Sequence, residues 1–342
     1  MARDFRVIRD GMAGVPPGMP GLWAVACLGG VSLERGVPIA EIHDYIKEPD
    51  NVVWLDVKDP GPSELAMLID EFGLHPVGLE AESLGRRRPK VDEFKGYALL
   101  ITCVAVPGDD PKVLRTTELD LCLGRNFVVS IHRGRVPALE EAMARWMHGG
   151  PRLREGVGFL VFAVMDALVA SFASFLAGIE EDVEEMEIAV FTRSDEESVR
   201  TLLQLKRNLA ALRHELQSLR TIFEVLLRRD HPFFPEGAEV YLRDVYDHLL
   251  RMLDVLEAGR ERADAAMDAT LAIGSHRLNK TMKSLSLITV AMAVIGSVFG
   301  AYGMNFEEMP LARAPWGFWF VAAGTIVLVT TPLLIGWWRR WW

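Results

Sequence analysis

The sequence predicts an α/β domain, then long stalk helices, then two C-terminal transmembrane α-helices. Three observations carry this. Two apolar runs, 284–306 and 314–338, contain no charged residue. Between Glu239 and Pro310 the chain has no proline, so one helix can run through that whole stretch. The first 150 residues instead mix short β-rich stretches with an amphipathic helical pattern. The expected organisation is an α/β domain over 1–150, a helical domain and stalk over 151–283, a first span over 284–306, a loop over 307–313, a second span over 314–338 and a basic tail over 339–342.

The bulk numbers fit this division. The chain has 342 residues and a formal net charge of −10, with pI near 5.4 and mean hydropathy +0.16. The hydrophobicity accumulates after Lys283. An acidic balance argues against nucleic acid as a partner. Cys27, Cys103 and Cys122 lie far apart without a CxxC pair, which reads as reduced, buried thiols. The opening MARDFRVIRDGMAG lacks the apolar core of a signal peptide.

In the first section, 52–57 (VVWLDV) reads as a strand, and Pro62-Ser63-Glu64 opens a helix with Leu65, Leu68, Ile69 and Phe72 on one face. Residues 97–106, TELDLCLG and 126–132 read as further strands, with a hairpin turn at Gly124-Arg125. The sheet is expected to be partly antiparallel. A helix over 156–190 ends in an acidic block (Glu180, Glu181, Asp182, Glu184, Glu185, Glu187). Another over 194–230 starts at a Ser194–Glu197 capping box. HPFFPEG breaks it, and the proline-free helix follows, about 65 residues or about 100 Å at 1.5 Å per residue.

A span needs about 20 apolar residues to cross about 30 Å of hydrocarbon, and both C-terminal runs suffice. Trp316, Trp319, Trp337, Trp338, Trp341 and Trp342 lie at their ends, where tryptophan favours the membrane interface. A buried hairpin in a soluble core is the alternative. Lys280 and Lys283 precede the first span, Arg339 and Arg340 follow the second, and the loop carries Glu307 and Glu308 with only Arg313. Positive flanks stay inside, so both termini are expected in the cytoplasm of a multi-pass protein of the plasma (inner) membrane.

Two helices cannot enclose a pore, but a ring of identical chains can. Asp268, Asn279, Met282, Leu285 or Ser286, Thr289, Ala293, Gly296, Gly300 and Gly303 fall on one helical stripe, small or weakly polar within the membrane. This is either a pore lining or a small-residue packing face.

YGMNF at 302–306, followed by Met309-Pro310, resembles the signature of the CorA magnesium transporter family of the two-TM-GxN superfamily, in which Gly-Met-Asn closes the first of two C-terminal spans. WLDV with Pro62, FGLHPVGLE, RRRPKV, LKRNLAALR, YLRDVYDH and NKTMKSL resemble its upstream blocks, so the likeness covers most of the chain. It implies a funnel-shaped homopentamer with a central pore, taking up magnesium and secondarily cobalt or nickel, and no enzymatic activity. Gly303, Met304 and Asn305 are then the selectivity filter, and Met282 and Leu285 a hydrophobic constriction above a vestibule lined by Asp268 and Asn279. The family's deeper Met-Pro is here Ala293-Val294, beside Met292, and Pro310-Leu311 stands where many members carry Pro-Glu.

The chemistry agrees. Magnesium holds its waters tightly and prefers octahedral oxygen ligands. Asn305 offers an amide oxygen, and Gly303 lets a carbonyl approach closely. Asn305 also suits a helix C-cap. A thioether is a poor partner for a hard cation, so Met304 is expected to pack. Glu307 and Glu308 either attract cations or are a solvated loop.

The resemblance also implies that intracellular magnesium bridges acids of neighbouring cytoplasmic domains and closes the pore. One maps to Asp244, with a surface ion pair as its alternative. The other belongs to a Glu-Asp pair, here Glu80-Ala81, leaving Glu80 and Glu82 around the gap. A ZntB-type zinc carrier coupled to protons is the neighbouring reading, and the intact tripeptide favours magnesium. A membrane-anchored structural protein would leave the tripeptide unexplained. An enzyme reading finds only scattered histidines (His75, His132, His214, His231, His248, His276) in no HExxH or triad pattern.

Overall fold

The computed structural model describes residues 21–76, 87–108, 110, 112–192, 196–228, 238–304, 310–311 and 314–338. The chain divides into two units. One comprises the residues up to Glu187 with Thr201–Ala263, and the other Ile188–Arg200 with Asp264–Trp342.

The first unit holds a seven-stranded sheet ordered β2-β1-β3-β7-β6-β5-β4. Its strands are β1 (Leu22–Leu28), β2 (Ser32–Arg35), β3 (Val52–Lys58), β4 (Lys90–Phe94), β5 (Tyr97–Ala105), β6 (Thr116–Gly124) and β7 (Phe127–His132). Only β3 and β7 pair in parallel, in the register Val53↔Phe127 and Asp56↔Ser130. β1 and β2 form a hairpin because Gly29 and Gly30 take φ of 55° and 67°, the left-handed geometry such a turn needs.

Period-two alternation sends Val53, Leu55 and Val57 to one face, where they share a core with Ile42 of α1 (Ile39–Lys47) and with Leu68 and Phe72 of α2 (Pro62–Phe72). Trp54 points to the other face. Its ring meets Trp146 of α3 (Pro137–Met147) edge-on, with centroids 6.2 Å apart. On that same face Trp54 Nε1 donates to Ser130 Oγ at 3.0 Å, Ser130 donates to Asp56, and His132 Nε2 lies 3.3 Å from Asp56. This polar row pairs Trp54 and Ser130 across the parallel strands, while the buried His132 Nδ1 has no partner among the described residues. The cysteines are buried thiols, and desolvation pushes those of Cys27 and Cys122 upward.

The 124–127 turn sits one residue later than the sequence suggests. Gly124 still pairs with Tyr97 in the sheet, and Asn126 turns its amide to the carbonyls of Ile46 (2.9 Å) and Glu48 (3.2 Å). The turn is therefore Arg125-Asn126, set by a tertiary contact.

Three helices complete the first unit. They are α4 (Val157–Thr192), α5 (Glu196–Leu226) and the early part of α6 (Ala238–Tyr302), which is 65 residues long without a break. α4 is long and apolar enough to span a membrane, but most of its apolar stretch is buried. Ser171 anchors it to the sheet by accepting from Ala105 N at 3.2 Å. Leu242, Val245, Leu249, Met252 and Leu256 form the buried seam of α6, at the three- and four-residue spacing of helix packing. The predicted acidic block is partly neutralised. Asp182 accepts from Lys112 at 2.6 Å, and Glu187 holds Arg262 through two bonds of 2.9 and 2.6 Å. The Arg262 hydrogen bonds hold the Glu187 carboxyl below its ordinary range. Ser194 lies outside the described residues.

The second unit has the distal part of α6 and α7 (Gly317–Trp338). None of the residues in the apolar window of α6 is buried.

Candidate functional site

Elementary energetics locate the site. Met282, Leu285, Ile288, Val290, Met292 and Phe299 are all exposed on α6. Burying one such side chain is worth about 1.5–3 kcal/mol, so this face requires lipid or another protein chain to cover it. Phe318, Trp319, Phe320, Ile326 and Val327 on α7 pose the same demand.

Along the second-unit part of α6, one stripe differs from the rest. Asp268, Asn279, Met282, Thr289, Ala293, Gly296 and Gly300 are each exposed and recur at helical spacing. Thr289 donates its hydroxyl to the Leu285 carbonyl at 2.9 Å, which satisfies it within its own helix. Leu285 stands beside this stripe, one residue before Ser286. In the first unit, Asp244, Asp247, Arg251, Asp254 and Glu261 are likewise exposed at alternating three- and four-residue spacing, opposite the buried seam.

The helix stops at Tyr302, and the next two residues form a turn. Gly303 N donates to Phe299 O at 2.9 Å and to Gly300 O at 3.2 Å, and Met304 N donates to Ala301 O at 3.4 Å. These bonds satisfy the last helical carbonyls. Met304 is 54 % exposed. Tyr302 donates its phenol hydroxyl to the Pro310 carbonyl at 3.1 Å and so ties the two ends of the connecting loop. The sequence reading missed Tyr302; its only signal was its place before the tripeptide. At the far side of the loop, Leu311 adopts φ 66°, and a Cβ on Gly317 would overlap the Leu311 carbonyl.

Asn305, Glu307 and Glu308 lie outside the described residues, as do Glu80, Ala81 and Glu82. The residues flanking the latter segment are firmly held. His75 N donates to the Tyr97 hydroxyl at 2.8 Å. Arg87 binds Glu118 through Nε (2.9 Å) and Nη2 (2.8 Å) and also reaches Asp120. Asp244 is exposed on α6 and forms no ion pair among the described residues. Among the described residues no three His, Cys, Asp or Glu side chains converge as a metal cage.

A family model described as "CorA-like Mg2+ transporter protein" matches residues 49–339. This chain belongs to the CorA-like Mg2+ transporter family. Among its CorA relatives, the "Cobalt/magnesium transport protein CorA" of Methanocaldococcus jannaschii is 28 % identical over 284 residues, covering 82 % of this chain and 89 % of that protein. The protein of the same name from Thermotoga maritima is 28 % identical over 287 residues, covering 83 % of this chain and 82 % of its own length. The complete structure of the M. jannaschii CorA magnesium transporter superposes with a TM-score of 0.75 at 26 % identity, covering 91 % of this chain and 96 % of that one. The CorA-like fold, an α/β domain with long helices, therefore extends over nearly the whole chain.

Proposed function

We propose that this CorA-family protein admits magnesium, with cobalt and nickel as secondary ions, down the electrochemical gradient through a path lined by α6. The observation that carries the reading is the wholly exposed apolar stretch of α6 with its small, weakly polar stripe, leading to Gly303 and Met304. An apolar helix with a polar seam, uncovered among the described residues, suits a ring of copies in a bilayer.

In this reading five copies surround the path. Residues 284–306 and 314–338 cross the plasma (inner) membrane, 307–313 face outward, and the 1–150 and 151–283 regions with both termini are cytoplasmic. Gly303, Met304 and Asn305 form the filter. Gly303 brings a backbone carbonyl near the ion's water shell, and the Asn305 amide oxygen contacts that shell without stripping it, which avoids the dehydration that magnesium resists. Glu307 and Glu308 raise the local cation concentration at the outer mouth. Met282 and Leu285 close the path by dewetting. Thr289 continues the lining towards the filter, and Asp268 and Asn279 line a wet vestibule on the cytoplasmic side. Moving one charge through 100 mV is worth about 2.3 kcal/mol, so a divalent ion gains about twice that and needs no fuel.

Magnesium is also the proposed regulator, held between neighbouring copies by Asp244 on one and Glu80 and Glu82 on the other. Magnesium needs only one or two carboxylates and keeps its remaining waters, so Ala81 in place of an acid weakens feedback without abolishing it. Without the ion, the facing carboxylates repel and favour opening.

Ion uptake by the full-length protein in proteoliposomes tests the reading, comparing magnesium, cobalt and zinc with and without a proton gradient. Magnesium uptake driven by membrane potential alone supports it. Zinc uptake that requires the proton gradient would replace it.

A further inference from the structure

Several cations of the first unit are paired, although Arg243 and Arg251, like the two lysines just before the first apolar run, form no ion pair among the described residues. In the first unit, Arg260 binds Glu257 at 3.1 Å, Arg262 binds Glu187, and Arg213 lies 3.5 Å from Glu257. Lys280 and Lys283 are exposed and form no ion pair among the described residues. Their own sequence offers no partner, since no carboxylate stands between Asp268 and Glu307.

Their direction is informative. Lys280 and Lys283 each follow a stripe residue, namely Asn279 and Met282, and His276 follows Ser275, which stands one turn before Asn279 at the stripe's four-residue spacing. At about 100° per residue they are turned about 100° from the stripe, and Arg277 about 200°. The stripe at this depth carries no charge, so the cations occupy the part of the helix turned away from it. One, two and three turns beyond Lys283, the Lys280–Lys283 face continues as Leu287, Val290 and Val294, an apolar surface of the proposed span. A cationic patch continuous with a lipid-facing surface sits where phospholipid headgroups begin, and long lysine side chains reach that level readily.

We propose that Lys280 and Lys283, with His276 as an added hydrogen-bonding group, form a binding site for the anionic headgroup of a phospholipid of the cytoplasmic leaflet. The site rests on the proposed span and its cytoplasmic flank, but not on which ion the protein carries. Two ammonium groups one turn apart straddle a headgroup phosphate through charge-assisted hydrogen bonds. The bound lipid also shields cations that would otherwise repel one another beside the proposed path.

The test uses the full-length protein in neutral detergent and measures its affinity for phosphatidylglycerol and phosphatidylcholine by native mass spectrometry. The parent should prefer phosphatidylglycerol. Lys280→Gln/Lys283→Gln should lose about fivefold in phosphatidylglycerol affinity per charge removed, the equivalent of ~1 kcal/mol for one basic side chain at an anionic surface. Phosphatidylcholine affinity should stay unchanged. Arg251→Gln, an exposed cation of the first unit, should bind like the parent. Equal affinity of the double variant and the parent for phosphatidylglycerol would overturn the site, as would complete displacement of the lipid by inorganic phosphate. Magnesium uptake in the same preparations keeps the two readings apart. A protein that selects phosphatidylglycerol but carries no magnesium sinks the transport reading alone, and one that carries magnesium without lipid selectivity sinks this one alone.

Discussion

Gly303→Ala separates a filter from a mere helix end. A methyl at this position would stand 3.3 Å from the Phe299 carbonyl oxygen and 3.6 Å from that of Gly300. The first distance asks for a shift of a few tenths of an ångström and the second for none. Gly303 is also not among the residues with positive φ, so alanine meets no backbone strain. Replacing glycine by alanine where the backbone conformation suits both stabilises by about 0.4–1 kcal/mol through the unfolded chain, which offsets the tight contact. The fold should therefore change by no more than about 1 kcal/mol. Function should change far more, because each copy adds a methyl where a hydrated ion must pass. Overfilling a fitted site costs about 1–3 kcal/mol, or about five- to 150-fold in rate. The assay pairs thermal unfolding in detergent with magnesium uptake in proteoliposomes. Gly317→Ala is the contrast, since its methyl would overlap the Leu311 carbonyl and should lower the melting temperature itself. Parental uptake by a normally melting Gly303→Ala protein would refute the reasoning, and so would a melting loss as large as that of Gly317→Ala.

Four further outcomes are expected. Asn305→Ala should abolish magnesium uptake while the assembly, checked by size-exclusion chromatography, stays intact. Met282→Gly/Leu285→Gly should keep its fold, because both side chains are exposed in the single chain, and should conduct at internal magnesium levels that silence the parent; patch recordings that still show block would place the gate elsewhere. Asp244→Ala should reduce magnesium protection against proteolysis and raise uptake at high internal magnesium, and unchanged protection would remove this residue from sensing. Tyr302→Phe removes the donor to the Pro310 carbonyl, a bond worth about 0.5–1.5 kcal/mol; hydrogen exchange in the loop after Met304 should accelerate, and identical exchange would show that the tie is idle.

Much of the fold was legible in the chain itself. β3, β5, β6 and α2 follow from period-two and period-3.6 patterns over continuous residues. The tripeptide and its flanking apolar runs are also contiguous, so the candidate site could be named before any coordinate. Less legible were the edge strands β2 and β4. Their SLER and KVDEF sequences are polar, since an edge strand buries little, and pairing alone defines them. The turn at Arg125-Asn126 slipped by one residue because Asn126 answers carbonyls of α1 and its C-cap far away in sequence. Tyr302 was passed over because its acceptor, Pro310, lies beyond the loop.

The sequence by itself determined which segments water rejects, because a long uncharged run is a property of composition. It also determined the helical register that gathers Asp268, Asn279 and Met282 onto one stripe, because spacing along a helix fixes angle. Composition alone cannot say what covers an apolar helix. α4 and α6 are both long and apolar enough to cross a membrane, yet α4 is mostly buried and the apolar stretch of α6 is not buried at all. Tertiary structure made that distinction, because burial depends on which neighbours the chain brings to each face. α4 has the sheet through Ser171 and Ala105, whereas the apolar faces of α6 around Met292 and Phe299 find no cover among the described residues.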